Sequence, residues 1–287
     1  MKTYNFASID VGSNSINLLL AYVHEKKIVF EKNHSFITGL GKGVRDSFRF
    51  TQEGMEKSYS AFSKIRNLVD QNHIQNSNVV CVATEASRVA KNSLDFYKKI
   101  NRDFSLKAKI ISAEQESKLS VLGAVSKNVQ ETLLMDMGGA STEISHYKLG
   151  RIINFQSFKI GAVCKSDNFS NKDLKKFVEQ LDFNATVLLV GGTASTMAMA
   201  MIGGSEFAPE SINKYSTHLE EINIFKEKII SMSDSVLLES FPILESRLDS
   251  IRCGVLSTHE ILELINPTTI YFSTKGLRHG ALLEFIG

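Results

Sequence analysis

Two short phrases in this 287-residue chain hold residue types suited to phosphate and metal chemistry. Asp10-Val-Gly-Ser-Asn-Ser15 and Asp136-Met-Gly-Gly-Ala-Ser141 each place a carboxylate at the end of an apolar run, followed by glycine and hydroxyl residues. Glycine permits unusual backbone angles and lets successive N–H groups approach an anion, while an acidic residue at a strand end can hold a divalent cation. A single copy would read as ordinary turn chemistry. A second copy in register favours two loops that together clamp a phosphate chain and its metal.

Other residues add to this set. Glu143 stands in the second copy where Asn17 stands in the first, so the second phrase carries two carboxylates and the first a carboxylate and an amide. That asymmetry points to magnesium held mostly by the second half, with phosphate oxygens and water completing a hard oxygen shell. Glu114 and Glu116 follow Ile111-Ser112 where a strand feeds a helix, the edge at which open sheets bind ligands. A carboxylate there can take a proton from water, or simply stabilise the helix dipole. Arg88 follows Ala83-Thr84-Glu85 and can grip phosphate in bidentate fashion or pair with Glu85. Gly191-Gly192-Thr193 is a further strand-glycine-helix junction whose amides can accept phosphate or whose glycines serve close packing. The seven histidines show no metal-ligand spacing.

The elements that must position these residues follow from hydrophobic period. Strands are expected over Tyr4 to Ile9, Ile16 to Val23 and Ile28 to Ile37, then a glycine loop and a helix from Gln52 to Gln71 capped by Thr51. Within that helix Met55, Tyr59, Phe62, Ile65 and Val69 recur every three or four positions. Val79 to Ala83 is a continuous apolar strand of the kind found in parallel sheets. A helix, a strand from Ala108 and a helix from Glu114 complete the half, and the same order restarts at Leu133. Later helices are expected over Leu219 to Ser231 and Ser250 to Ile265, the latter stopped by Asn266-Pro267. A strand from Thr269 and a helix from Gly276 to Phe285 end the chain. The repeat predicts an α/β protein of two domains, residues 1–124 and 125–287, on either side of a cleft.

Composition bounds the class. A net charge of +2 advertises neither nucleic acid nor an acidic membrane as partner. Cys81, Cys164 and Cys253 are odd in number and widely spaced, which predicts reduced, buried thiols. The N-terminus lacks a leader pattern, so a cytoplasmic protein is expected. Val187 to Ile202 reads as a strand, a glycine turn and a packed helix rather than a membrane span.

Together, Ile9 to Ile16, Ala83-Thr-Glu-Ala-Ser-Arg88, Ile111-Ser-Ala-Glu-Gln-Glu116, Met135 to Glu143, Gly191-Gly-Thr193 and Lys275-Gly-Leu-Arg-His-Gly280 resemble the exopolyphosphatase and guanosine pentaphosphate phosphatase (Ppx/GppA) family over nearly the whole chain. The resemblance implies two ribonuclease-H-like lobes of the actin-like, sugar-kinase and chaperone superfamily around a central cleft. It implies magnesium-dependent release of terminal orthophosphate from inorganic polyphosphate, guanosine pentaphosphate or both. Glu116 matches the catalytic glutamate, Asp136 and Glu143 the magnesium-binding acids, and Arg88 the phosphate-holding arginine. Asp10 is expected to reach metal-bound water. The loops Gly12, Ser13, Asn14, Ser15 and Gly138, Gly139, Ala140, Ser141, with Gly191, Gly192 and Thr193, match its phosphate cradles. Asn17 replaces a common basic residue, Gln115 a glutamate, Ala113 and Ala140 glycines, and Lys42 a glutamate. The family's longer members carry further helical domains beyond the second lobe, so a reduced preference for very long polymers is implied. A non-hydrolytic sensor of guanosine tetra- and pentaphosphate and a kinase of the same superfamily would use the same loops. A homodimer is one admissible assembly.

Overall fold

A computed structural model describes residues 4–162, 171–181 and 185–287. The chain divides into two compact units, one comprising the residues up to Gly123 together with Leu277–Gly287, the other Ala124–Gly276. The boundary falls after residue 123, one residue before the expected one, and the last helix belongs with the first unit.

In the first unit β1 (Phe6–Val11), β2 (Ser15–His24) and β3 (Lys27–Ile37) form an antiparallel meander. Next come a short α1 (Val44–Ser47), α2 (Gln52–Gln71), β4 (Val79–Ala83), a five-residue α3 (Glu85–Val89), α4 (Ser93–Phe104), β5 (Ala108–Ile110) and α5 (Ala113–Ala124). The sheet order is β3-β2-β1-β4-β5, with β4 parallel to both β1 and β5. Helix α2 has the bounds its period predicts, and Thr51 Oγ1 accepts a 3.1 Å hydrogen bond from the Gly54 amide. This cap satisfies one of the orphan amides of the first turn. Phe62, Ile65 and Val69 of its stripe are buried with Ile9, Ile16, Leu18, Leu20 and Ile100, while Met55 and Tyr59 lie at the margin. Truncating Phe62, which is fully buried, would cost about 3–5 kcal/mol.

In the second unit the meander recurs as β6 (Glu131–Met137), β7 (Thr142–Lys148) and β8 (Arg151–Phe158). It continues through α6 (Asn171–Glu179), β9 (Thr186–Val190), α7 (Gly192–Ile202), α8 (Pro209–Lys214), β10 (Ser216–Thr217), α9 (Leu219–Ser231), α10 (Asp234–Ser240), α11 (Leu248–Ile265) and β11 (Thr269–Ser273). The sheet order β10-β11-β9-β6-β7-β8 repeats the first sheet with one short strand added at the edge. Leu133, Met135, Ile144, Leu189, Met197, Val255 and Leu262 centre its core. Helix α11 ends at Asn266, which takes the left-handed conformation before Pro267.

The final helix α12 (Leu277–Ile286) covers the second face of the first sheet. Leu277 and Ala281 pack with Val82, Ile111 and Leu119, and Leu282 with Leu19 and Ala21. Among the described residues no helix is long and apolar enough to cross a membrane, and Val187 to Ile202 divides into β9, a glycine turn and α7. Cys81 is buried and Cys253 half-buried, both as free thiols, while Cys164 lies outside the described residues.

Candidate active site

The two Asp phrases fold into the same object, one in each unit. In the first, the Gly12 amide donates to Ser15 O at 3.0 Å and closes the β1–β2 turn. In the second, the Gly138 amide donates to Ser141 O at 2.9 Å and closes the β6–β7 turn. Asp10 is the register partner of Asn17, as Asp136 is of Glu143. The row extends to a third strand in both copies. Ser35 Oγ donates to Asn17 Oδ1 at 2.8 Å, and Ser157 Oγ donates to Glu143 Oε1 at 2.7 Å. Asn17 Nδ2 in turn reaches Asp10 Oδ2 and Ser15 Oγ, each at 3.4 Å.

The first loop is held from behind by the segment after β3. The Thr38 and Gly39 amides donate to Asn14 O, and the Gly41 amide donates to Ser13 O at 2.7 Å. A Cβ on Gly41 would lie 2.7 Å from Ser13 Cβ, so only glycine allows this approach. With these carbonyls engaged, the Ser13 and Asn14 amides donate to no acceptor among the described residues, the state an anion cradle requires. The second loop is supported alike, by the Ala162 amide on Gly138 O and by Gly161, whose Cβ would meet Gly139 O at 2.6 Å.

Gly191 joins β9 to α7 with a φ of 95°, a conformation that favours glycine. It abuts Asp136, since a Cβ there would come within 3.1 Å of Asp136 Oδ1 and 3.0 Å of Met137 O. The acid of the second phrase and the Gly191-Gly192-Thr193 junction are thus one locality. The locality includes a residue the sequence did not single out. The Arg247 guanidinium lies against Gly192, close enough that a Cβ on this glycine would be 2.1 Å from Arg247 Nη2. Arg247 has no ion-pair partner among the described residues, and burial depresses its pKa. An unpaired guanidinium at a helix N-terminus is a natural anion contact.

Glu116 and Arg88 also come together, within the first unit. Arg88 Nη1 lies 2.8 Å from Glu116 Oε2 and 2.9 Å from Ile111 O. Its Nε and Nη2 donate to Glu85 Oε2 at 3.2 and 2.9 Å. Burial alone would lower the Arg88 pKa, but the charge and hydrogen bond of Glu116, followed by those of Glu85, raise it above its ordinary value. The two acids at the start of α5 separate cleanly. Glu114 is exposed and pairs with Lys118 at 2.7 Å, whereas Glu116 is buried. Gln115 keeps the helix cap despite replacing a glutamate. Its side chain accepts from the Ser112 amide at 3.2 Å while Ser112 Oγ accepts from the Gln115 amide at 3.1 Å, a reciprocal capping box.

Among the described residues no three His, Cys, Asp or Glu side chains converge as a ready-made metal cage. Asp136 and Glu143, neighbours on paired strands, form a hard two-carboxylate set, and Glu143 is only 2 % exposed. That chemistry fits magnesium, which binds through one or two carboxylates and keeps water or phosphate in its other positions. A side chain at residue 191 would crowd Asp136 Oδ1 at 3.1 Å. Two histidines contact acids: His146 lies 2.8 Å from Glu131, and the buried His279 of α12 lies 3.1 Å from Glu31 of β3.

Two meander-plus-helix units with duplicated Asp-Gly turns define a two-lobed protein of the actin-like fold. The family model described as Ppx/GppA phosphatase matches residues 21–287, and the chain belongs to that family. It is similar to the PPX-GPPA enzyme of Aquifex aeolicus, with 26% identity, a TM-score of 0.76, and coverage of 99% of this chain and 100% of that one. It is 26% identical to a bifunctional 3-dehydroquinate synthase/phosphatase of Fusobacterium nucleatum, over 97% of this chain and 46% of the relative. It is 29% identical to a guanosine-5'-triphosphate,3'-diphosphate pyrophosphatase of Pseudoalteromonas atlantica, over 48% of this chain and 28% of that protein. The chain spans less than half the length of these curated relatives.

Proposed function

We propose that this phosphatase hydrolyses a terminal phosphoanhydride with magnesium as cofactor, releasing orthophosphate from inorganic polyphosphate or guanosine pentaphosphate. The observation that carries the reading is the buried Glu116 held 2.8 Å from Arg88 at the start of α5. A carboxylate able to accept a proton beside a cation able to bind phosphate is the minimum a hydrolytic phosphoryl transfer asks of side chains, and this pair supports the reading.

In this reading Glu116 accepts the proton of the attacking water as its oxygen bonds to the terminal phosphorus and the bridging P–O bond breaks. Arg88 binds the oxygens of the transferring phosphoryl group. The Ser13 and Asn14 amides, and the Gly138 to Ser141 and Gly191 to Thr193 turns, receive phosphate oxygens, with Arg247 added to the latter set. Asp136 and Glu143 would hold magnesium, which supplies neutralisation of oxygen charge, and Asp10 would contact its water shell. The names of the relatives support a phosphorylated substrate, and guanosine pentaphosphate and polyphosphate share the bond that these groups address.

Phosphate release from polyphosphate of defined length and from guanosine pentaphosphate, with magnesium and with chelator, tests the proposal. Magnesium-dependent release from either substrate supports it. Tight nucleotide binding without turnover would select a sensor, and ADP formed from ATP with an acceptor would select a kinase.

A further inference from the structure

Arg88 is more heavily engaged than a phosphate grip should be. A guanidinium has five N–H donors. Nε and one Nη2 hydrogen go to Glu85, and the two Nη1 hydrogens go to Glu116 and Ile111 O. One N–H remains, on Nη2, too few for bidentate capture of a phosphoryl group. Two carboxylates also surround one cation, so the cluster carries a net negative charge that opposes an incoming anion. One acid must therefore yield before phosphate binds.

The surroundings decide which acid yields. Glu116 lies inside the unit, with 11% of its side chain accessible, and it shares Nη1 with the fixed Ile111 carbonyl. Glu85 is the first residue of α3, one turn before Arg88, with 20% of its side chain accessible and a path to water. It also occupies the Nε/Nη2 edge, the side of the fork that planar anions engage. We propose that Glu85 is a gate on the phosphate grip: its carboxylate occupies the Nε/Nη2 edge of Arg88 and is displaced from it by the substrate's terminal phosphoryl group. Glu85 acts through Arg88 and is a positioning residue. The inference rests on the reading of Arg88 as the phosphate contact.

The consequence is a penalty on binding that removal of the charge relieves. Glu85→Gln keeps length and an acceptor for Arg88 but competes weakly with phosphate, so binding should tighten by about three- to fivefold, the worth of a partly exposed ion pair. KM should fall by a similar factor while kcat changes less. Glu85→Asp, which keeps the charge, should stay near the parent protein.

Calorimetric titration of the full chain with inorganic pyrophosphate in magnesium tests this, using the parent, Glu85→Gln, Glu85→Asp, Arg88→Gln and the Glu85→Gln/Arg88→Gln double variant. Glu85→Ala, read alongside, should change affinity in the same direction as Glu85→Gln. Tighter binding by Glu85→Gln that disappears in the Arg88→Gln background supports the gate. Unchanged or weaker binding by Glu85→Gln, with Arg88→Gln clearly weakened, overturns the gate and leaves Arg88 as the phosphate contact. Tightening that persists in the double variant assigns the effect to general repulsion and also overturns the gate. Undiminished binding by Arg88→Gln overturns the reading on which the gate rests.

Discussion

Asn17 and Glu143 occupy one position in two copies of the same cross-strand row, each opposite an aspartate and each accepting a hydrogen bond from a serine on the third strand. The rows differ in charge at that single place. The second row is a two-carboxylate set suited to a hard cation, while in the first the Asn17 amide donates to Asp10. Glu143→Ala should therefore raise the magnesium concentration needed for half-maximal phosphate release, whereas Asn17→Ala should leave the magnesium titration in place. A Glu143→Ala titration that overlays the parent removes this residue from the metal shell.

Ser157 makes a finer version of the same test. Its hydroxyl fixes one oxygen of Glu143 from the neighbouring strand. Loss of such an outer contact typically costs about 10- to 100-fold in metal affinity or activity. Ser157→Ala should shift the magnesium titration in the direction of Glu143→Ala but by less, and an effect larger than that of Glu143→Ala would show that the serine acts elsewhere.

Glu116→Gln retains size and a hydrogen-bonding group beside Arg88 but cannot accept the proton of water. Turnover should fall about a hundredfold or more, the usual worth of a general base, with binding of pyrophosphate largely kept. Steady-state kinetics and calorimetry together check this. Near-normal turnover would eliminate Glu116 as the base.

How much of this could be read from the residues alone depends on whether a feature is local or periodic. Helix α2 is legible because its stripe and its Thr51 cap are adjacent in sequence, and the equivalence of Asn17 with Glu143 is legible because the phrase is duplicated. The choice of Glu116 over Glu114 comes from the family resemblance and not from position, because both fit a first helical turn; in the structure burial and the Arg88 contact distinguish them. Arg247 belongs to no periodic segment, lying where a 3-10 turn meets α11, and its placement on Gly192 comes from chain folding over more than fifty residues. The nearest signal was the paired glycine, whose missing side chain makes room for the guanidinium. Helix α3, at five residues, is too short for a period to register, and its position sets which edge of Arg88 Glu85 can hold.

Cys81 on β4 offers a check on the first core. Burial, and secondarily the charge of Asp10, push its thiol far above the ordinary range. The thiolate is the reactive form, so at mildly alkaline pH this thiol stays protonated and inert. Alkylation of the native protein followed by peptide mass spectrometry should label the half-buried Cys253 well before Cys81. Rapid labelling of Cys81 would show that β4 opens readily.

The return of the last helix to the first unit gives a stability prediction with an internal control. Gly280 of α12 meets α5 so closely that a Cβ would stand 1.7 Å from Leu119 O, a backbone atom that cannot swing aside. Gly276, just before the helix, would place a Cβ 3.8 Å from Val190, an ordinary contact. Gly280→Ala must therefore push α12 away from α5 and loosen Leu277 and Ala281 from Val82 and Leu119, at a cost of about 1–3 kcal/mol typical of overpacking. Gly276→Ala should change stability by under about 0.5 kcal/mol. Urea unfolding of both variants measures the difference as a shift in midpoint at unchanged slope. Equal midpoints for the two would mean that α12 does not sit against α5 as closely as the Gly280 geometry requires.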